Sequence, residues 1–154
     1  MILVTHSHGH SDHTARDNQF KGQDNVVMVG AVLKVVVKHY GLKEWPMGEV
    51  IVDLGGRQLT IFPIPDHQDA SITVYAPQTQ WLLTGDTFFP GRLYVREWAE
   101  YKISIQKLVD FTRTHPVTAL MGTHIEISNI PGDIFALGLD HQPNEASCRS
   151  RQMI

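Results

Sequence analysis

Short apolar runs separated by turn residues set the organisation of this chain. Ile2–Val4 reads as the end of a buried strand that runs into a histidine-rich loop, and residues 25–29, "NVVMV", read as a second strand. Between them, Ser11 and Asp12 are N-cap residue types and predict a short helix from Asp12 to about Phe20. Residues 31–41, "AVLKVVVKHYG", are β-branched enough for a strand, but the closing Gly41 suggests a helix stop, and a helix is the expectation. Four strands follow at 49–53, 57–64, 71–77 and 80–86, punctuated by "LGG", by Pro63 and Pro65, and by "APQTQ".

Residues 97–113 change to helical period. Trp98, Tyr101, Ile105, Leu108 and Val109 fall on one stripe, expected to be core, with Glu100, Lys102, Lys107 and Asp110 off it. "HPVTALMGTH" returns to a strand that ends in a loop at His124. Beyond "IPGD" the periodicity fades. The expectation is therefore one α/β domain over residues 1–130 and a loosely ordered tail over 131–154.

A chain of 154 residues with 42% hydrophobic and 19% charged residues can bury a core. A formal net charge of -3 gives no support to a phosphate-tracking surface, so no nucleic acid is expected as partner. The one cysteine, Cys148, forbids an intramolecular disulfide and is compatible with a reducing cytoplasm, the expected compartment. No apolar run approaches the length of a membrane span, and "MILVTHSH" lacks the basic start of a signal peptide.

Chemistry concentrates in "THSHGHSDHT", residues 5–14. At a strand end, period-two alternation puts His8 and His10 on one face, able to pinch one cation, while Asp12 and His13 follow the turn and can face a second. Four donors in six residues crowd a single tetrahedral ion, so a second metal is implied, with further ligands at other strand ends. His67 in "IPDHQDAS", Asp86 in "LLTGDTFF" and His124 in "MGTHIEIS" are the candidates, because strand ends of an α/β sheet converge on one edge. Nitrogen donors with few carboxylates suit Zn²⁺, and less selectively Fe, Mn or Co. The competing reading of residues 5–14 is a solvated polar loop, with His67, Asp86 and His124 as ordinary turn or strand-end residues.

"THSHGHSDHT", a lone histidine, "LLTGDTFFPGRLY" and "GTH", in that order, resemble the metallo-β-lactamase-fold hydrolase superfamily. The resemblance implies an αββα sandwich with a dinuclear site along one edge. His8, His10 and His67 would hold the first metal, Asp12, His13 and His124 the second, and Asp86 would bridge both. His6 falls outside the string and is expected to be a neighbour. Members of the family usually carry several strands before the motif, so the chain is expected to lack its first strands, with the exposed edge covered by a partner such as a second copy. Where the family commonly has "GHTPG", this chain has "DHQDA" at 66–70, so neither the glyoxalase II nor the persulfide dioxygenase branch is assigned.

The implied activity is metal-dependent hydrolysis of a small-molecule ester, thioester, amide or lactam, or phosphodiester. Two Zn²⁺ ions would share the attacking hydroxide, and Asp12 and Asp86 are the expected catalytic carboxylates, with Asp12 steering the nucleophile. The absence of a G-x-S-x-G string and the placement of the only thiol in the tail argue against a serine or cysteine nucleophile. Arg92 and Tyr94, with Phe88 and Phe89, follow Asp86 closely and are candidates for the substrate pocket. Glu126 is a candidate to orient a ligand imidazole, while His39, His115 and His141 are expected to be surface or core residues. Two alternatives remain at this point: a mononuclear iron oxidoreductase of the same fold, and an inactive metal-binding remnant.

Overall fold

The structure, a computed structural model, describes residues 1–147 and the main chain of 149–150. Its strands are β1 (Ile2–Val4), β2 (Val26–Met28), β3 (Val50–Asp53), β4 (Gln58–Pro63), β5 (Ile72–Ala76), β6 (Trp81–Gly85), β7 (Ala119–Gly122) and β8 (Arg149–Ser150). Its helices are α1 (Ser11–Thr14), α2 (Leu33–Tyr40) and α3 (Trp98–Thr114), with a 3-10 turn at Asp17–Gln19. The architecture is the α/β class expected, built on two facing sheets.

β1 and β2 form a parallel pair, and β3 to β8 form a six-stranded sheet in sequence order, antiparallel except at β6–β7. Two antiparallel steps separate β4 from β6, and β7 runs parallel to β6. β4, β6 and β7 therefore all point the same way, and the loops that follow them emerge at one edge. The Ser7 carbonyl accepts the Ile72 N–H at 2.8 Å, which fastens the loop after β1 to that same edge.

Side chains of alternating parity fill the two faces of the large sheet. Ile61 and Ile72 face Val29, Val36, Tyr40 and Leu42, with Leu3 and Leu33 packed against them. Phe62, Tyr75 and Leu82 point the other way, onto Leu108 and Phe111 of α3. Gly41 ends α2 with φ 69°, the left-handed cap expected from the sequence. Leu83, of opposite parity to Leu82, lies on the face away from α3 and is 42% exposed.

Several expectations are corrected. The buried side of α3 runs through Ser104, Leu108 and Phe111, whereas Trp98 and Val109 are 68% and 39% exposed. The sheet residues Phe62, Tyr75 and Leu82 cluster with Leu108 and Phe111, in the second half of the helix, and Trp98 is not part of that cluster. The helix expected over Asp12–Phe20 is interrupted, with α1 ending at Thr14 before the 3-10 turn. His10 is the N-cap of α1, without a side-chain cap bond, in place of Ser11 or Asp12. Apart from these corrections, within residues 131–154 Glu145 bridges Ser128, Ile134 bridges Ile127, and β8 pairs with β7. Cys148 and residues 151–154 lie outside the described residues.

Candidate metal centre

Each strand that ends at the common edge delivers a donor within a few residues. His8 and His10 follow β1, Asp12 and His13 sit in α1, His67 follows β4, Asp86 follows β6 and His124 follows β7. A tight approach makes this convergence possible. Gly85 has φ 55°, and a Cβ there would lie 2.7 Å from the Ser7 Cβ, so glycine lets β6 turn Asp86 towards the histidine loop.

Two groups of donor atoms result, and Asp86 belongs to both. In the first, His10 Nδ1 lies 3.0 Å from His8 Nε2 and 3.1 Å from His67 Nε2. Asp86 Oδ2 is 3.6 Å from His8 Nε2 and 3.4 Å from His67 Nε2. In the second, His13 Nε2 is 3.5 Å from Asp12 Oδ2 and 3.5 Å from Asp86 Oδ1. His124 Nε2 is 3.4 Å from Asp12 Oδ2 and 3.3 Å from Asp86 Oδ2. All seven residues read from the sequence are thus brought together.

These separations fit metal ions. Zinc bonds of about 2.0–2.1 Å in a tetrahedron put neighbouring ligand atoms about 3.3–3.4 Å apart. Hydrogen bonding alone does not account for the arrangement. His13 Nε2 is buried without a hydrogen-bond partner, and three imidazole nitrogens crowd at the first group where His10 Nδ1 can satisfy only one at a time.

The protonation states also fit. Burial, aided by the charges of His13, His67 and His10 against the opposing pull of Asp86, pushes His8 down to about 3. Burial likewise lowers His67. Burial would raise Asp86, but the hydrogen bond from the Thr123 hydroxyl and the neighbouring His124, His8 and His13 hold it below the usual carboxylate range. Neutral imidazoles around an ionised carboxylate are the state a divalent cation requires.

His6 points elsewhere, its Nε2 2.7 Å from Asp17 Oδ1. Above the donors lies an open cavity of about 550 Å³, walled by Phe89, Tyr94, Arg96 and Glu126. Tyr94 lines this cavity. Arg92 instead donates to the Phe135 carbonyl at 2.5 Å, and its main-chain N–H donates to Glu126 Oε2 at 2.8 Å. Phe88 packs into the core beside α3. His115 stacks on Phe111 at 4.0 Å, and His39 packs edge-on to Tyr40.

Sequence reasoning missed Arg96 and Asp66. Arg96 faces the cavity, and Asp66, 2% exposed, accepts the Arg96 and Glu97 amides on Oδ1 at 3.1 and 2.5 Å. The signal for Asp66 was a carboxylate beside a candidate ligand histidine, but its partners lie thirty residues on and are main-chain groups.

The model of the metallo-beta-lactamase superfamily matches residues 2–124, most of the chain. The chain belongs to that superfamily. Its members are metal-dependent enzymes, and the His/Asp cluster gathers donors that could hold a metal ion. Among solved structures, the chain is similar to a metallo-beta-lactamase from Pontibacter korlensis (17% identity, TM-score 0.55), covering 80% of this chain and 61% of that one. It is also similar to the flavodiiron protein from Giardia intestinalis (18% identity, TM-score 0.53), covering 79% of this chain and 37% of that one. A third is the chemotaxis sensor ODP with its peroxy diiron species (12% identity, TM-score 0.53), covering 80% and 63%. The chain thus spans less than two thirds of the length of each, and the likeness shows the fold. No curated protein matches it. Among the described residues, no helix is long and apolar enough to cross a membrane.

Proposed function

We propose that this superfamily member is a dinuclear zinc hydrolase of small molecules, acting on an ester, thioester, amide or lactam, or phosphodiester bond. The observation that carries the reading is the pair of four-donor groups sharing Asp86, with five imidazoles against two carboxylates at the floor of an open cavity. A nitrogen-rich set of this kind suits zinc. His8, His10, His67 and Asp86 would hold one ion, and Asp12, His13, His124 and Asp86 the other. Such a pair supplies Lewis acidity and a nucleophile at neutral pH.

The chain's own groups do the rest. Asp86, buried and tied to Thr123, keeps its charge and fixes the spacing of the two groups. The Asp12 side chain is 56% exposed. It reaches the cavity, where it can orient the attacking water and accept its proton. Phe89 and Tyr94 give the cavity an apolar wall, and the volume suits a small molecule better than a polymer.

Iron oxidoreduction is the second reading, because two of the similar structures carry diiron in their descriptions. Elemental analysis of the purified chain separates the two. Close to two zinc ions, with turnover of an ester, thioester, lactam or phosphodiester in a substrate panel, supports the hydrolase. Iron in place of zinc, with no hydrolysis, overturns it in favour of the oxidoreductase. Two zinc ions with no turnover across the panel leave a metal-binding remnant.

A further inference from the structure

His67 differs from a well-supported ligand histidine in one respect. A metal-binding imidazole normally donates its second ring N–H to a fixed acceptor, which orients the ring. The His67 Nδ1 is buried without a well-formed hydrogen bond, and the acceptor its ring meets is the main chain of Tyr94. The His67 Nε2 nevertheless sits 3.1 Å from His10 Nδ1 and 3.4 Å from Asp86 Oδ2. The ring is therefore placed by the turn that carries it and by the Tyr94 main chain, and both must be held from outside.

That turn is stitched to the start of α3 and to the segment before it. The Ser104 hydroxyl, fully buried, donates to the Pro65 carbonyl at 2.6 Å. Asp66 Oδ1 accepts the amides of Arg96 and Glu97, the last residues before the helix. The Arg96 guanidinium donates to Asp69 Oδ1 at 3.0 Å, but both side chains are more than half exposed, so this contact holds little. Among these, Asp66 adjoins His67 directly, and it does so at a conformational cost. Its φ is 124°, a region that residues with a Cβ rarely adopt and where glycine would be relaxed. A carboxylate is kept in a glycine-like backbone, and what it gains there is the two amides.

We propose that Asp66 is a positioning residue that, by gripping the Arg96 and Glu97 amides, sets the His67 ring in the metal cluster and the Tyr94–Arg96 wall of the cavity together. The proposal rests on the metal-site reading above. It makes metal affinity and pocket shape depend on one side chain that touches neither metal nor substrate.

The test uses Asp66→Gly and Asp66→Asn in the full chain, stripped of metal and titrated with Zn²⁺ and Co²⁺. Asparagine retains an oxygen that can accept both amides, while glycine relieves the backbone and removes the acceptor. The glycine variant is expected to keep its melting temperature within a few degrees, to bind zinc about 10- to 100-fold more weakly, and to shift the visible Co²⁺ spectrum. Hydrogen exchange at the Arg96 and Glu97 amides should quicken in the metal-free glycine variant and stay slow in the asparagine one. A glycine variant with unchanged zinc affinity and Co²⁺ spectrum overturns the proposal and leaves Asp66 a helix cap. If the glycine variant does not fold, the asparagine variant decides: slow amide exchange with weakened zinc binding overturns the proposal, and wild-type affinity sustains it. A wild-type chain that takes up neither metal overturns the metal-site reading itself, a result distinct from both.

Discussion

The Thr123 hydroxyl donates to Asp86 Oδ1, one residue before the ligand candidate His124. This bond orients the carboxylate common to both donor groups and helps keep it ionised. Removing it with the near-isosteric Thr123→Val leaves shape intact and takes away a donor to a buried charge. Zinc affinity is expected to fall about 10- to 100-fold, read by competition with a chromophoric chelator. Unchanged affinity would show that the histidines alone hold Asp86 in place.

Asp86 and His6 make a contrasting pair. Asp86→Asn removes the one charge shared by the two groups, so the variant should lose at least one metal equivalent and its turnover. His6 is held by Asp17 at 2.7 Å and lies outside both donor groups. His6→Ala should therefore keep the metal content of the wild type and show only a lower melting temperature. Elemental analysis of the two variants side by side checks both outcomes, and a metal equivalent missing from the His6 variant would reassign the cluster.

Gly85 carries a backbone requirement and a steric one at once. Alanine at φ 55° costs about 1–2 kcal/mol, and its Cβ would meet Ser7 at 2.7 Å. Ser7 adjoins His8, and Gly85 adjoins Asp86, so relief of the clash displaces two donors of the first group. Gly85→Ala is expected to lower stability by roughly 2 kcal/mol or more and to weaken zinc binding. Denaturant unfolding and metal titration together would detect each effect separately.

Much of this was legible in the sequence, for a physical reason. Metal ligation admits few residue types, so His8, His10, Asp12, His13, His67, Asp86 and His124 stand out wherever an apolar strand ends. The strands β3 to β6 were bounded to within a residue or two because alternation and turn residues agree there. Two kinds of feature were not legible. Helical periodicity in residues 97–113 allows more than one apolar stripe, and only tertiary packing decides that Ser104, Leu108 and Phe111 are buried while Trp98 is not. The other kind is a contact made to main-chain amides, such as Asp66 to Arg96 and Glu97, which leaves no residue type at the far end for a pattern to reveal.

Lys107, outside both donor groups, should give the fold a measurable pH dependence. Its ammonium donates to the carbonyls of Pro46, at 2.6 Å, and Pro63, and sits 5.8 Å from the Phe62 ring centroid. Burial pushes its pKa from 10.5 down to about 8. The unfolded chain therefore binds a proton in this window that the folded chain has released, and stability rises with pH between the two values. That contribution is complete above 10.5 and is lost as pH falls through about 8. Buried Tyr40 and Tyr75 and half-buried Tyr101, all raised by desolvation, act in the opposite direction at higher pH, since the fold favours their protonated forms. The comparison therefore belongs between about pH 8 and about pH 9.5, below the tyrosine range. Across it the denaturant midpoint of the wild type should climb, while that of Lys107→Met, which keeps an apolar stem and cannot titrate, should stay level. Parallel profiles in the two proteins would show that Lys107 holds its proton throughout, with the two carbonyls outweighing its burial.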